Sequence, residues 1–378
     1  MRVFYMLAAT VVACGAAQTD GKQPQPAQTT TVTVAPPDAG PPEAASDAGG
    51  AVTAAEPLPP PRPTTIRLAS PVGDAVDQEL DRGDADFEKN DLDKAKAHYD
   101  AAKKLGPKRA GPLVGLARVR IAKTNAALDY GAAKGNAEVT TGARELKAAV
   151  ALQKDYGPAY AELGRAELML GDGNAALASL QRGAELLPNE PEAQSALGVA
   201  LLATGQKNEA LAALQRAAQL DPGSAPRHGN LGTVLLLVGR VDDAVKEYEL
   251  QARIAGDDAR AHSDLGTALL AKNELQRAVS ELERAVALDA TRASYQTNLG
   301  YAYQLLGRRA DAIAKYRQAI RLDANFASAW IDLATALAQD PKTRAEARAA
   351  LMTAKKIDPT DPRVKANLEE LDALEKKP

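Results

Sequence analysis

Few residues in this sequence are of types that do chemistry. Its 378 residues include one cysteine, Cys14, and three histidines, His98, His228 and His262. A lone thiol forms no disulfide within the chain and builds no cysteine zinc site. His228 and His262 fall in the same register of a repeated pattern, one repeat apart. Imidazoles at a fixed step could be metal ligands, but a zinc site needs a third and usually a fourth donor. No convincing third ligand accompanies them, and Tyr160 and Trp330 occupy the same register. The two histidines therefore read as packing residues, and His98, next to Tyr99, reads as exposed. No phosphate-binding Gly-rich loop, dinucleotide fingerprint or Gly-x-Ser-x-Gly elbow occurs. The expectation is no catalytic residue, no metal, no cofactor and no enzymatic activity.

Charge excludes a further class. Lys plus Arg number 46 and Asp plus Glu 49, a net charge of −3, with aromatics at 4%. No basic stripe with interleaved aromatics is present, so no nucleic-acid partner is expected. Alanine is abundant while Val and Ile are few, which favours helices with closely packed backbones.

Cys14 sits at the end of an apolar leader. Arg2 supplies a minimal positive charge, and residues 3–13 are uncharged. That stretch is far shorter than the roughly 20 residues a membrane span needs. Two processing routes fit. Cleavage after Ala17 would discard the cysteine. Alternatively, Val11-Val12-Ala13-Cys14 resembles the bacterial lipobox, with Val in place of the commoner Leu. That resemblance implies a signal peptide over residues 1–13 and a diacylglycerol on the Cys14 thiol. Several acyl chains at one terminus anchor a soluble domain stably. Residue 15 is Gly rather than Asp. In the lipoproteins this resembles, that difference favours the outer membrane, facing the periplasm.

Residues 14–72 then read as the lipidated Cys followed by a linker. Twelve of the 23 prolines lie between Pro24 and Pro71. Proline removes backbone donors and resists helix, so the reading is a disordered, partly polyproline-II tether.

From Val76 the sequence is periodic. Leu163-Gly164 recurs as Leu197-Gly198, Leu231-Gly232, Leu265-Gly266 and Leu299-Gly300, always at the same step. Ala176, Ala210, Ala244, Ala278 and Ala312 keep that step too. A constant period of about 34 residues predicts an all-α helical solenoid, here over residues 73–361. Its repeats are 76–109, 110–156, 157–190, 191–224, 225–258, 259–292, 293–326 and 327–361. The second is longer than the rest, with the excess in "KTNAALDYGAAKGNAEVTT". Either a longer helical hairpin or a protruding loop accommodates it. Residues 362–378 read as a capping helix and tail, with Val364, Leu368, Leu371 and Leu374 at helical spacing.

These residues resemble the tetratricopeptide repeat. Leu299, Gly300, Tyr303, Ala312, Tyr316 and Ala319 fit its pattern without shift, and so do Trp330, Leu333 and Ala334. The resemblance implies a right-handed superhelix whose first helix in each repeat lines a concave peptide-binding groove. Projected here, the groove residues are Arg165, Leu168, Met169, Val199, Leu202, Thr233, Leu236, Leu237, Arg260, Thr267, Leu270, Tyr301, Gln304, Leu305, Ile331 and Thr335. Such a trough suits an amphipathic helix or an extended peptide. Asn230 and Asn298 are present, but the lysines of the family's carboxylate clamp are not.

The combination resembles envelope tetratricopeptide lipoproteins that assist pilus secretins or gliding machinery. It implies a lipid-anchored, non-enzymatic scaffold that binds an envelope protein or peptide segment. The alternative reading is an accessory subunit of an envelope polysaccharide or peptidoglycan synthase.

Overall fold

The computed structural model describes residues 59–62, 65–127 and 130–375. The leader, Cys14 and most of the linker lie outside them. Among the described residues every regular element is helical: 17 α-helices and one 3-10 turn at Pro341–Thr343. The chain forms two compact units, Met1–Gly239 and Arg240–Pro378.

The first unit holds α1 (Ala75–Glu88), α2 (Leu92–Leu105), α3 (Gly111–Ala122), α4 (Ala137–Leu152), α5 (Gly157–Leu170), α6 (Gly173–Leu186), α7 (Pro191–Ala203), α8 (Lys207–Leu220) and α9 (Ala225–Leu237). The second holds α10 (Val241–Ile254), α11 (Ala259–Ala271), α12 (Leu275–Leu288), α13 (Ala293–Leu305), α14 (Arg309–Leu322), α15 (Ala327–Ala338), α16 (Arg344–Ile357) and α17 (Pro362–Glu375). Within each unit, successive helices pack as antiparallel hairpins and each hairpin stacks on the next. Odd-numbered helices are the first of a repeat, helix A, and even-numbered ones the second, helix B.

Local chemistry sets the boundaries. Asp74, Asp91 and Asp172 precede α1, α2 and α6, and each carboxylate accepts a backbone N–H of the first turn. Gly171 closes α5 at φ 81°, a left-handed conformation that favours glycine. At the equivalent place after α11, Asn273 adopts φ 65°.

A Leu-Gly pair holds the hairpins α5–α6, α7–α8, α11–α12 and α13–α14 together. A Cβ on Gly164 would fall inside the Leu180 side chain, and one on Gly266 would fall 2.6 Å from Leu282 Cγ. Gly300 similarly faces the Tyr316 ring at 2.7 Å. The missing side chain on helix A admits the large side chain of helix B. Ala176, Ala210, Ala278 and Ala312 on the B helices are fully buried. Their small side chains allow a close backbone approach without cavities.

The described excess residues of the second repeat, 123–127 and 130–136, lie outside any helix and form a loop, not a longer hairpin. Gly131 N donates to Leu168 O at 2.9 Å, and Ala133 N donates to Met169 O at 2.8 Å. Tyr130 Oη donates to Gly171 O at 2.8 Å. The loop thus satisfies the Met169 and Gly171 carbonyls at the end of α5 and gives Leu168 O a second donor beside Gly171 N. In the second unit α17 buries Val364 and Leu371. Arg344 Nη1 donates to Leu374 O at 2.8 Å, tying its end to α16.

The packing predicts a contrast between two glycines. Gly266→Ala forces a methyl into Leu282 and should cost about 1–3 kcal/mol, the range for overpacking. Gly256→Ala meets nothing nearer than 3.7 Å and should change stability far less. Urea denaturation followed by circular dichroism checks both.

Candidate functional site

Helix-A residues that recur at the repeat step share one face within each unit. In the first unit an extended segment of the chain itself occupies that face. Residues 59–62 and 65–70, at the end of the stretch expected to be linker, form a strap across α1, α3, α5 and α7. Ile66 and Leu68 are each only 1% exposed. Ile66 packs with Ala161, Ala193 and Leu187. Leu68 joins the core cluster that includes Leu80, Tyr99 and Val114.

Polar contacts to the strap fall on its backbone and on the side chains of Thr65, Arg67 and Ser70. Leu68 N donates to Asp84 Oδ2 at 2.7 Å, and Tyr156 Oη donates to Leu68 O at 2.5 Å. Arg118 Nη2 donates to Ile66 O at 2.9 Å. Ser70 N and Oγ donate to the two Asp77 oxygens at 2.8 Å each. At the other end Arg62 N donates to Asp221 Oδ1 at 3.0 Å, and Arg227 Nε holds the other Asp221 oxygen at 2.9 Å.

Beneath the strap lies a buried ion cluster. Arg118 bonds Glu162 Oε1 at 2.7 Å and Asp84 Oδ1 at 3.1 Å. Tyr99 Oη donates to Asp84 Oδ1 at 2.8 Å. Burial pushes the Asp84 carboxyl up, and the Arg118 guanidinium offsets part of that rise. For Glu162 burial also pushes upward, but Arg118 and Arg165 outweigh it and hold the carboxyl below its ordinary value. At Asp77 burial is likewise outweighed, here by the bonds from Ser70 and Arg109, and the carboxyl is lowered. Removing one member of such a cluster would leave a bare buried charge, typically a loss of about 3–5 kcal/mol.

The remaining expected groove residues of the first unit fall into two groups. Met169 is buried under the 123–136 loop with Ala133 and Val139, and Leu168 is buried too. Arg165, Val199, Leu202, Thr233, Leu236 and Leu237 are half-buried. Arg165 lies within 3.6 Å of Glu162 and 3.5 Å of Glu192. The Thr233 hydroxyl donates back to Gly229 O at 3.0 Å.

In the second unit α11, α13 and α15 carry the corresponding residues. Thr267, Tyr301, Gln304, Leu305 and Thr335 are half-buried, and Arg260 is exposed. Leu270 and Ile331 are buried, Ile331 against Ala354 and Val364 of the terminal helices. Thr267 and Thr335 donate to the carbonyls four residues back, and Gln304 Oε1 accepts from Tyr316 Oη at 3.0 Å. Asn298 Nδ2 reaches Ser263 Oγ at 3.3 Å, as Asn230 Nδ2 reaches Ser195 Oγ in the first unit. These asparagines tie one repeat to the previous one.

The histidines sit in matching roles. His228 Nε2 is 2.9 Å from Pro222 O, and His262 Nε2 is 3.0 Å from Gly256 O. His262 Nδ1 also lies 2.7 Å from Glu281. His98, expected to be exposed, is half-buried between Glu79 and Asp86, whose carboxylates draw the ring against α1. Among the described residues no three His, Cys, Asp or Glu side chains are grouped to hold a metal, and no helix is long and apolar enough to cross a membrane.

The strap, Asp84, Arg118 and Glu162 are absent from the expected site. Two signals were available. Thr65-Ile66-Arg67-Leu68 alternates with the period of an extended chain, and Asp84 and Arg118 are one repeat apart.

One acidic residue of the second unit's helix-A face yields a pH prediction. Burial pushes the Asp332 carboxyl up to about 7, Arg363 offsets part of this, and Asp361 adds to it. The folded chain therefore keeps a proton that the unfolded chain releases near pH 4. Stability should fall as pH rises from about 4 to about 7. Asp332→Asn should flatten that slope and raise the melting temperature at pH 8. Thermal melts across the pH range measure both effects.

Comparison with known proteins adds matches to repeat models over part of the chain. Residues 161–225 and 297–362 match one tetratricopeptide-repeat model, and 201–263 match a second. Residues 242–326 also match the bacterial transcriptional activator domain. No curated protein matches the sequence. Among solved structures, the chain shares its fold with the APC/C hetero-tetramer Cut9–Hcn1 at 17% identity and a TM-score of 0.58. That match covers 79% of this chain but only 56% of the other. The Pseudomonas aeruginosa protein pilF is 18% identical with a TM-score of 0.48, covering 57% of this chain and 97% of that one. YrrB, described as a repeat protein with an unusual peptide-binding site, is 19% identical with a TM-score of 0.39, covering 50% and 97%. Period, helix pairing and model matches agree over these stretches: residues 161–263 and 297–362 carry tetratricopeptide repeats.

Proposed function

We propose that this protein is a non-enzymatic scaffold of a bacterial envelope, anchored by lipid at Cys14, that holds an extended segment of a protein partner on its helix-A faces. The tetratricopeptide fold itself points to protein–protein interaction. The observation that carries the peptide-binding reading is the strap. An extended stretch is already seated on helix-A residues, held through backbone N–H and C=O groups that any peptide possesses. The half-buried Thr267, Tyr301, Gln304 and Leu305 of the second unit supply a surface of the same origin.

The anchor rests on Val11-Val12-Ala13-Cys14, and the absence of Asp after the cysteine favours the outer membrane, facing the periplasm. A tethered peptide-binding array of this kind suits assembly or stabilisation of an envelope complex such as a pilus, secretion or gliding machine.

Two outcomes are expected. Cys14→Ser should abolish labelling by a palmitate analogue and move the protein from the membrane to the soluble periplasmic fraction; unchanged fractionation would refute the anchor. Leu236→Asp and Tyr301→Asp, made singly, should reduce in-cell crosslinking to the partner several-fold with far-ultraviolet circular dichroism unchanged. Crosslinking at the wild-type level in both would place the partner elsewhere.

A further inference from the structure

The strap has no counterpart in the repeat pattern, yet the face beneath it is fitted to receive it. We propose that the face formed by α1, α3, α5 and α7 is a binding site for an extended partner peptide, with aliphatic residues at alternate positions and a cationic residue between them. The strap is the ligand this chain supplies to itself, and the partner's segment displaces it. The proposal builds on the peptide-scaffold reading above, and its test is independent of the lipid anchor and of Leu236 and Tyr301.

Three features carry it. First, the recognising groups act on backbone. Asp84 takes the N–H of Leu68, while Arg118 and Tyr156 give to the carbonyls of Ile66 and Leu68. These bonds impose an extended conformation but no sequence. Second, sequence preference comes from two apolar seats. Ala161 and Ala193 are small enough to admit Ile66 between α5 and α7. Leu68 enters the cluster around Leu80 and Tyr99 two residues later, the spacing at which side chains of an extended chain return to one face. Third, the rim is acidic. Asp81 pairs with Arg67 at 2.7 Å, and Asp221 holds the backbone of Arg62 at 3.0 Å. Burial pushes the nearby Glu190 carboxyl up, and the Glu192 N–H, then Arg227 and lastly Arg62, partly counter that rise.

The ion pairs of the face persist without its occupant. Arg118 keeps both Asp84 and Glu162, and Asp84 keeps Tyr99. A departing strap therefore opens Asp81, Asp84 Oδ2, the Tyr156 hydroxyl and two apolar seats to water, but leaves no lone buried ion. That is the condition for an exchangeable ligand. A tethered occupant competes at an effective concentration of order millimolar. A free peptide thus binds well only once the strap is weakened.

The test uses the full chain carrying Ile66→Ser and Leu68→Ser, both outside any helix. The probe is a fluorescein-labelled peptide of residues 59–71, PPPRPTTIRLASP, followed by anisotropy. The peptide should bind the double variant at least tenfold more tightly than the wild type, and a peptide with Ser at both aliphatic positions should bind neither. Equal affinity for both proteins, or no binding to a double variant of unchanged helicity, overturns the proposal. Should the double variant lose helicity, Gly223→Val decides. Its Cβ would collide with Pro59 O and loosen only the strap's outer end. A gain in peptide affinity of several-fold over wild type supports the site, and no gain overturns it.

Discussion

Two helices can cross closely only where one of them offers no side chain. In this protein that place is Gly164, Gly198, Gly266 or Gly300, and the partner is a leucine or tyrosine of the following helix. The contact sets the separation of helices within a hairpin. The buried alanines on the B helices then set how near the next hairpin comes. Because the same distances recur with every repeat, the helix-A faces acquire a regular spacing within each unit. The strap depends on that regularity. Its backbone groups meet Asp84 on α1 and Arg118 on α3, one repeat apart, and its Ile66 meets Ala161 and Ala193 on α5 and α7.

The buried ions show how a polar face can sit inside an apolar array. A lone Arg118 would be costly under the strap, and so would a lone Asp84. Together with Glu162 and Tyr99 they satisfy one another, and the backbone of the strap takes up what remains of their hydrogen-bonding capacity. The cluster contributes position rather than large stability. It fixes where an extended chain may lie and in which register, while the apolar seats supply the driving force of burial.

Much of this was legible in the sequence, and the limits have physical causes. Helix pairs and their boundaries follow from Leu, Gly and Ala recurring in phase, since each recurrence marks a packing contact that tolerates little change. The long second repeat was legible as an insertion but not as a loop. Its form depends on bonds from Gly131 and Ala133 to the end of α5, and a backbone bond leaves no trace in side-chain type. The strap was hidden by its setting. A run of prolines reads as linker, and the four-residue alternation inside it is too short to outweigh that. Burial of Met169 and Ile331 was likewise invisible, because elements outside the repeat pattern cover them: the inserted loop and the terminal helix.

The course of the strap changes where the chain leaves the array. It runs from α1 back across α3, α5 and α7, so that Arg62 meets Asp221, 159 residues away along the chain. Pro59 lies against Gly223, in the turn between α8 and α9. The N-terminal segment therefore departs from beside this turn, not from the first helix. Tension applied from upstream of Pro59 meets Arg62 and Asp221 first. Load from that side passes the strap's seat on α5 and α7 before its seat by α1, so the first hairpin is the last element to feel it.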